Sequence, residues 1–235
     1  VQCRSWSAAH FLPDANGAPG RPPRDCDNVL GVPLPDGSLP RSVTDGNLEA
    51  EAAVEMALAA HAHGAFVIAE SPVKRARGHC ARAKHALDGC DKHVYMFDHP
   101  AWQRLIAVAS AEITTSDQCM TADDHTKSAI KATAWLATRA AREPMRLLFS
   151  PLQCDHPHDS HATLRGVDAS GRYVTPSSET YSAGTCRLLA RVVQMATAHL
   201  RGGSLVQSTS TPQSAAASSA LVSRADVEAM VHNGA

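Results

Sequence analysis

Aromatic residues are scarce: three Trp, three Tyr and four Phe make up 4% of the 235 residues. A core must therefore lean on Ala, Val and Leu, which bury less area each than a ring. Long apolar runs are missing too. None approaches the ~20 residues that a membrane span needs, and the start of the chain lacks the charged-then-apolar pattern of a secretory signal. Excess charge of either sign is also absent, since 22 Lys and Arg against 23 Asp and Glu give a formal net charge of -1. That excludes a strongly basic nucleic-acid binder and an acidic tail protein, but leaves room for a local basic face. No CxxC pair and no internal repeat occurs. The seven cysteines (Cys3, Cys26, Cys80, Cys90, Cys119, Cys154 and Cys186) are odd in number and widely spaced. The expectation is an intracellular protein with free thiols, most of them behaving as small buried hydrophobes, rather than a disulfide scaffold. The first residue is Val1, not Met, which is read as the start of a fragment.

What is present reads as an α/β chain. Residues 12–41 are rich in Pro, Gly and Asp, unsuited to a helix or a central strand, and predict a long surface loop. A helix is expected over 45–63. Asp45 or Asn47 would cap it, Glu49 and Glu51 would sit in its first turn, and Leu48, Ala52, Met56 and Ala59 would form its apolar stripe, widened by Val54 and Leu58. Gly64 would stop it. The apolar run Ala65–Ala69 predicts a buried strand, and helix, glycine and strand together predict a parallel sheet. Further strands are expected over 112–119 and 131–138. Short helical pieces are expected after His99-Pro100, carrying Trp102, Leu105 and Ile106, and in "PMRLLF". "VYMF" (Val94 to Phe97) reads as a short extended piece. A last helix is expected from Ser178 to Leu200, capped by Ser177 or Ser178 and ended by Gly202 and Gly203. Its face would be Tyr181, Leu188, Leu189, Val192, Val193 and Ala196. The Ser/Ala-rich stretch 202–235 reads as a low-complexity tail.

Three places could carry chemistry. Cys3 lies in "CRSWSAAH". Glu70 would stand at the carboxyl end of the first strand, the edge where open α/β sheets bind ligands, and a rigidly held carboxylate can donate a proton or a hydrogen bond. The segment "CDHPHDSH" offers Cys154, His156, His158 and His161, whose ligand types suit zinc. Its spacing, C-x-H-x-H-x-x-H, is not that of a standard finger. His156 and His161 could share a face, with Cys154 or Cys119 completing the site. Lys74, Arg75, Arg77, Arg82, Lys84 and Lys92 make a basic stretch after Glu70, which is either a solvated face or a phosphate-contacting one.

In order, "CRSWSAAH", the Pro/Gly loop, "AHGAFVIAESP", "SDQC", "KATAWLAT" and "CDHPHDSHATLRGVDASGRYVT" resemble the central and C-terminal part of cytosine-5 DNA methyltransferase-like proteins. The likeness is to their phage-like, mobile-element-associated branch and covers about residues 1 to 195. It implies an incomplete Rossmann-like methyltransferase domain over 1–201, with Cys3 as the nucleophile and Glu70 as the glutamate of a Glu-Asn-Pro motif. By implication, a thiolate adds to C6 of a flipped-out cytosine, the carboxyl group shares a proton with N3, and C5 takes a methyl group from S-adenosylmethionine. Lys74, Arg75, Arg77, Arg82 and Lys84 would then touch DNA phosphates, and the protein would be nuclear in a eukaryote. The chain departs from the family pattern where Val1 and Gln2 replace Pro-Pro, where Ser71 replaces Asn, and where no glycine-rich cofactor turn precedes Cys3. The departures favour one alternative, a catalytically inactive mobile-element remnant acting at most as a nucleic-acid- or protein-binding module. A further alternative, a small zinc-binding module, centres on Cys154 to His161.

Overall fold

The computed structural model describes residues 23–73, 93–123, 131–157, 160–161 and 181–206. Cys3, the basic residues Lys74, Arg75, Arg77, Arg82, Lys84 and Lys92, His158 and the proposed caps Ser177 and Ser178 lie outside them. No helix among the described residues is long and apolar enough to cross a membrane. The mixture of helices and sheet is that of an α/β chain. It divides into two compact units, one of residues Val1–Ala65 and Ala69–Ala111, the other of Phe66–Ile68 and Glu112–Ala235.

The first unit is built on α1 (Arg41–Ala62) and α2 (Pro100–Ala109). Helix α1 starts four residues before the expected Asp45. Val43 and Thr44 donate their N–H groups to Pro40 O, so the helix begins directly after that proline. Asp45 instead pairs with Arg41 one turn away, and Glu49 and Glu51 fall outside the first turn. The apolar stripe is displaced from the expected one: Val54 is buried as expected and Leu58 half-buried, but Leu48, Ala52, Met56 and Ala59 are exposed. Val43, Gly46, Ala50, Val54 and Ala57 are buried, whereas Leu48 is 60% and Met56 69% exposed. At about 100° per residue, Leu48 and Ala50 point to nearly opposite faces. The buried face of α1 is thus made mostly of small residues. Gly64 ends the helix as expected. At φ +83 it donates to His61 O, and Ala65 N reaches back to Ala60 O, the paired closure of a Schellman motif.

Residues 23–40 form an ordered loop held against α1. Arg24 is only 2% exposed. Its guanidinium donates to Val29 O at 2.7 Å, Asn47 Oδ1 at 2.7 Å and Val43 O at 2.8 Å. Burial lowers it to about 10, still cationic at neutral pH. Gly31, at φ +127, faces Val43 so closely that an added Cβ would stand 2.4 Å from its Cγ1. Helix α2 is capped by His99, whose Nδ1 accepts from Ala101 N at 3.2 Å, with Pro100 at its first position. "VYMF" is extended only at its start, closing into a 3-10 turn over Met96–Asp98. Trp102 and Leu105 are buried.

In the second unit, β2 (Glu112–Asp117) pairs antiparallel with β3 (Ala132–Ala137), Glu112 opposite Ala137 and Asp117 opposite Ala132. The sequence predicted a parallel sheet. A strand covered on both faces is a continuous apolar run whichever way its partner points, and β3 is buried from Thr133 to Ala137. The sheet order is β1-β3-β2. Strand β1 (Ile68–Pro72) enters this unit through Ile68. Val67 holds both bonds to Thr138, its N–H to Oγ1 at 2.8 Å and its carbonyl from the Thr138 N–H at 3.0 Å. The strand is thus shifted three residues from the expected Ala65–Ala69, because Ala65 is used in closing α1.

Helix α3 (Arg142–Phe149) and helix α4 (Ala183–Val206) cover the sheet. Met145, Leu148 and Phe149 from α3 join Leu188, Val192 and Ala196 from α4 around Trp135. Ser182 caps α4, its Oγ accepting from Thr185 N at 3.1 Å. Val193 is exposed rather than part of the buried face. The helix passes through Gly202 and Gly203 to Val206, because two glycines lower helix propensity by only ~1 kcal/mol each and neither takes the left-handed conformation here.

Candidate metal centre

The end of β2 is where the chain gathers its metal-ligating side chains. After Asp117 a 3-10 turn, Gln118–Thr121, carries Cys119 into the second unit's core, where it is 1% exposed. The segment after Leu152 runs back to the same place. Asp117 N donates to Leu152 O at 2.8 Å, Asp117 Oδ2 accepts from Cys154 N at 2.7 Å, and Gln153 Nε2 reaches Thr115 O at 2.7 Å. These bonds fix Cys154 beside Cys119. A turn then brings the second histidine back, Ser160 donating to Pro157 O through both N–H and hydroxyl.

The result is a four-donor cluster. The ligand atoms of Cys119, Cys154, His156 and His161 all lie within 4.8 Å of one another. Cys154 Sγ is 3.5 Å from His156 Nδ1 and 3.3 Å from His161 Nε2. The two rings meet edge to face with centroids 5.5 Å apart. Tetrahedral zinc with Zn–S of ~2.3 Å and Zn–N of ~2.0–2.1 Å has sulfur-to-nitrogen edges of about 3.5 Å. The measured separations match that edge. The donor set, two thiols and two imidazoles, is also one that zinc takes in closed sites.

The electrostatics point the same way. Burial pushes the Cys119 thiol well up, and Cys154 and Asp117 beside it push further in that direction. Two thiolates and a carboxylate crowded in a core are unfavourable together, and a divalent cation at their centre reverses that balance. A hydroxyl network anchors the turn carrying Cys119. Thr121 Oγ1 meets Thr185 Oγ1 at 2.6 Å, and Ser182 Oγ donates to Thr121 O at 2.8 Å, tying the 3-10 turn to the start of α4.

Four of the five residues singled out from the sequence as candidate ligands are thus brought together, with both cysteines rather than one of them, while His158 lies outside the described residues. The role of Asp117 was not legible in advance, since it rests on two hydrogen bonds to backbone groups 35 and 37 residues away, at Leu152 O and Cys154 N. Among the described cysteines no disulfide forms. Cys26 and Cys186 are exposed and only Cys119 is fully buried, so the buried-hydrophobe expectation fits one of the four. Glu70 lies in the middle of β1, half-buried, not at its carboxyl end, because the strand starts later than the apolar run. No family model matches the chain, and no curated protein or solved structure matches it either.

Proposed function

We propose that this chain is a zinc-binding module in which Cys119, Cys154, His156 and His161 hold one structural zinc ion. The observation that carries this reading is the convergence of the four donor atoms within 4.8 Å. Four protein ligands close the coordination shell, whereas catalytic zinc sites keep a position for water. The ion would neutralise the two thiolates and fasten His156 and His161 to the end of β2. Zinc analysis of the purified, reduced protein should give one ion per chain, and cobalt substituted for it should show thiolate-to-metal charge transfer. Cys154→Ser and His161→Ala should each lose the ion, while Cys26→Ser should retain it. Folded protein carrying no zinc, and no thiolate signature with cobalt, would sink the reading.

A second reading follows from the resemblance: methyl transfer from S-adenosylmethionine to cytosine in DNA by a Rossmann-like domain, with Cys3 as nucleophile and Glu70 as its acidic partner. What favours it is that Glu70 is half-buried on a strand beside fully buried Ser71, a scaffolded place for a carboxylate. Labelled S-adenosylmethionine and DNA test it. Label incorporated by the wild type and lost in Cys3→Ala carries this reading. Absence of label leaves the chain a binding module.

A further inference from the structure

The four-ligand cluster joins two thiols of unequal access. Cys119 lies in the core on the 3-10 turn after β2, and Cys154 lies half-buried on a segment 35 residues further along. Their sulfurs fall within the 4.8 Å that bounds the cluster. The backbone that carries Cys154 is held in place independently of any ion, by Asp117 Oδ2 at the Cys154 N–H and by Leu152 O at the Asp117 N–H. Removing a metal would therefore leave the two sulfurs neighbours.

We propose that the cluster is a peroxide-sensitive site that exchanges its metal for a Cys119–Cys154 disulfide; this rests on the zinc reading above. The more accessible sulfur reacts first. Cys154 thiolate attacks the O–O bond of a small hydroperoxide. One oxygen stays on sulfur as a sulfenic acid, and the other leaves with a proton as water when the oxidant is hydrogen peroxide. Cys119 thiolate then attacks the Cys154 sulfur, the S–S bond forms, and the departing hydroxide takes a proton to become water. Two thiolates, one hydrogen peroxide and two protons thus yield one disulfide and two waters. The site loses both of its negative charges in the process. His156 and His161 remain as neutral ligands, and two imidazoles hold a divalent cation far more weakly than a closed set of four. The fully buried position of Cys119 suits a resolving thiol, which needs to meet only its partner.

The experiment uses the full chain, purified reduced, with its zinc content measured first. Hydrogen peroxide is added while a chromogenic chelator records zinc release, and peptide mass mapping under non-reducing conditions locates the disulfide. One equivalent of zinc should be released together with a Cys119–Cys154 cross-link lacking two hydrogens, and thiol reductant plus zinc should restore both. Cys119→Ala should leave Cys154 over-oxidised, without the cross-link. Cys186→Ser, which removes an exposed thiol outside the cluster, should behave as the wild type. If zinc is bound but peroxide gives no release, or a cross-link to another cysteine, or a sulfinic acid at Cys154 in the wild type, the switch is wrong and the zinc reading stands. If the reduced, folded protein binds no zinc, the zinc reading falls and the switch with it.

Discussion

Single residues in the first unit carry strain and charge that simple substitutions can expose. Gly31 holds φ +127 with Val43 Cγ1 2.4 Å from where a Cβ would go. Gly31→Ala would combine backbone strain with overpacking and should destabilise the unit by about 2–4 kcal/mol, read as a lower midpoint in urea at unchanged slope. His99 gives a pH dependence of defined sign. Burial holds its imidazole below the usual 6.5, Arg24 adds to that, and Glu51 opposes it. The cap bond to Ala101 N likewise needs Nδ1 unprotonated. As pH falls below about 6.5 the unfolded chain takes up a proton that the folded chain resists, so stability is full above that pH and declines below it. Urea titrations between pH 7.5 and 5 should show this decline, and His99→Gln should flatten it. At this scale the sequence told which residue types matter but not their surroundings. His99 before Pro100 was readable as a helix start, whereas the burial of Arg24 in a Pro/Gly-rich loop was not, because its acceptors Val29, Val43 and Asn47 come from two different elements.

Among elements, the strands were more legible than the helix faces. β2 and β3 fall within the expected 112–119 and 131–138, β2 because its β-branched residues suit a half-covered strand and β3 because its apolar run is buried on both faces. The stripe of α1 was misread because the spacing-four line Leu48, Ala52, Met56 and Ala59 was taken as the buried face, whereas the inward face carries the small residues Gly46, Ala50 and Ala57 beside Val43 and Val54. The metal cluster was legible as a set of ligand types. Its completeness was not, since Cys119 joins Cys154 only through the bonds between the end of β2 and Leu152–Cys154. Within the sheet, Trp135 on β3 donates to Ser116 Oγ on β2 at 2.9 Å and stacks near Phe149 at 5.0 Å. Trp135→Phe keeps the ring contact but leaves a void and removes the donor to Ser116. It should cost about 2–3 kcal/mol, measurable as a lower unfolding midpoint of the second unit.

At the scale of the whole molecule, the poverty in aromatics is met by placing them together. Tyr95, Phe97 and Trp102 form an edge-to-face group in the first unit, with centroids 5.6 and 5.3 Å apart. Trp135, Phe149 and Tyr181 form a group of tilted rings in the second, at 5.0 and 5.8 Å. Each small core thus has one large apolar nucleus, worth about 0.5–1.5 kcal/mol per ring pair beyond the area buried, and Ala, Val and Leu fill the remainder. On the zinc reading, an ion held by Cys119, Cys154, His156 and His161 would add to this at the end of β2. Removing the ion with a chelator should therefore lower the thermal stability of the second unit specifically, by a shift that depends on free zinc concentration. The two-unit division was not visible in composition, because the boundary falls between Ala65 and Ala69, inside the most apolar run of that region.

Among the described residues, that distribution of rings gives one tryptophan reporter in each unit. Trp102 lies among the helices of the first unit, and Trp135 lies in the sheet of the second, in the same apolar cluster as Cys119, a cluster against which Cys154 packs. In a chain with Trp135 as its sole indole, emission would follow metal binding and oxidation at the thiol pair. With Trp102 alone, it would follow the protonation of His99. The melting of each half could thus be watched by its own light.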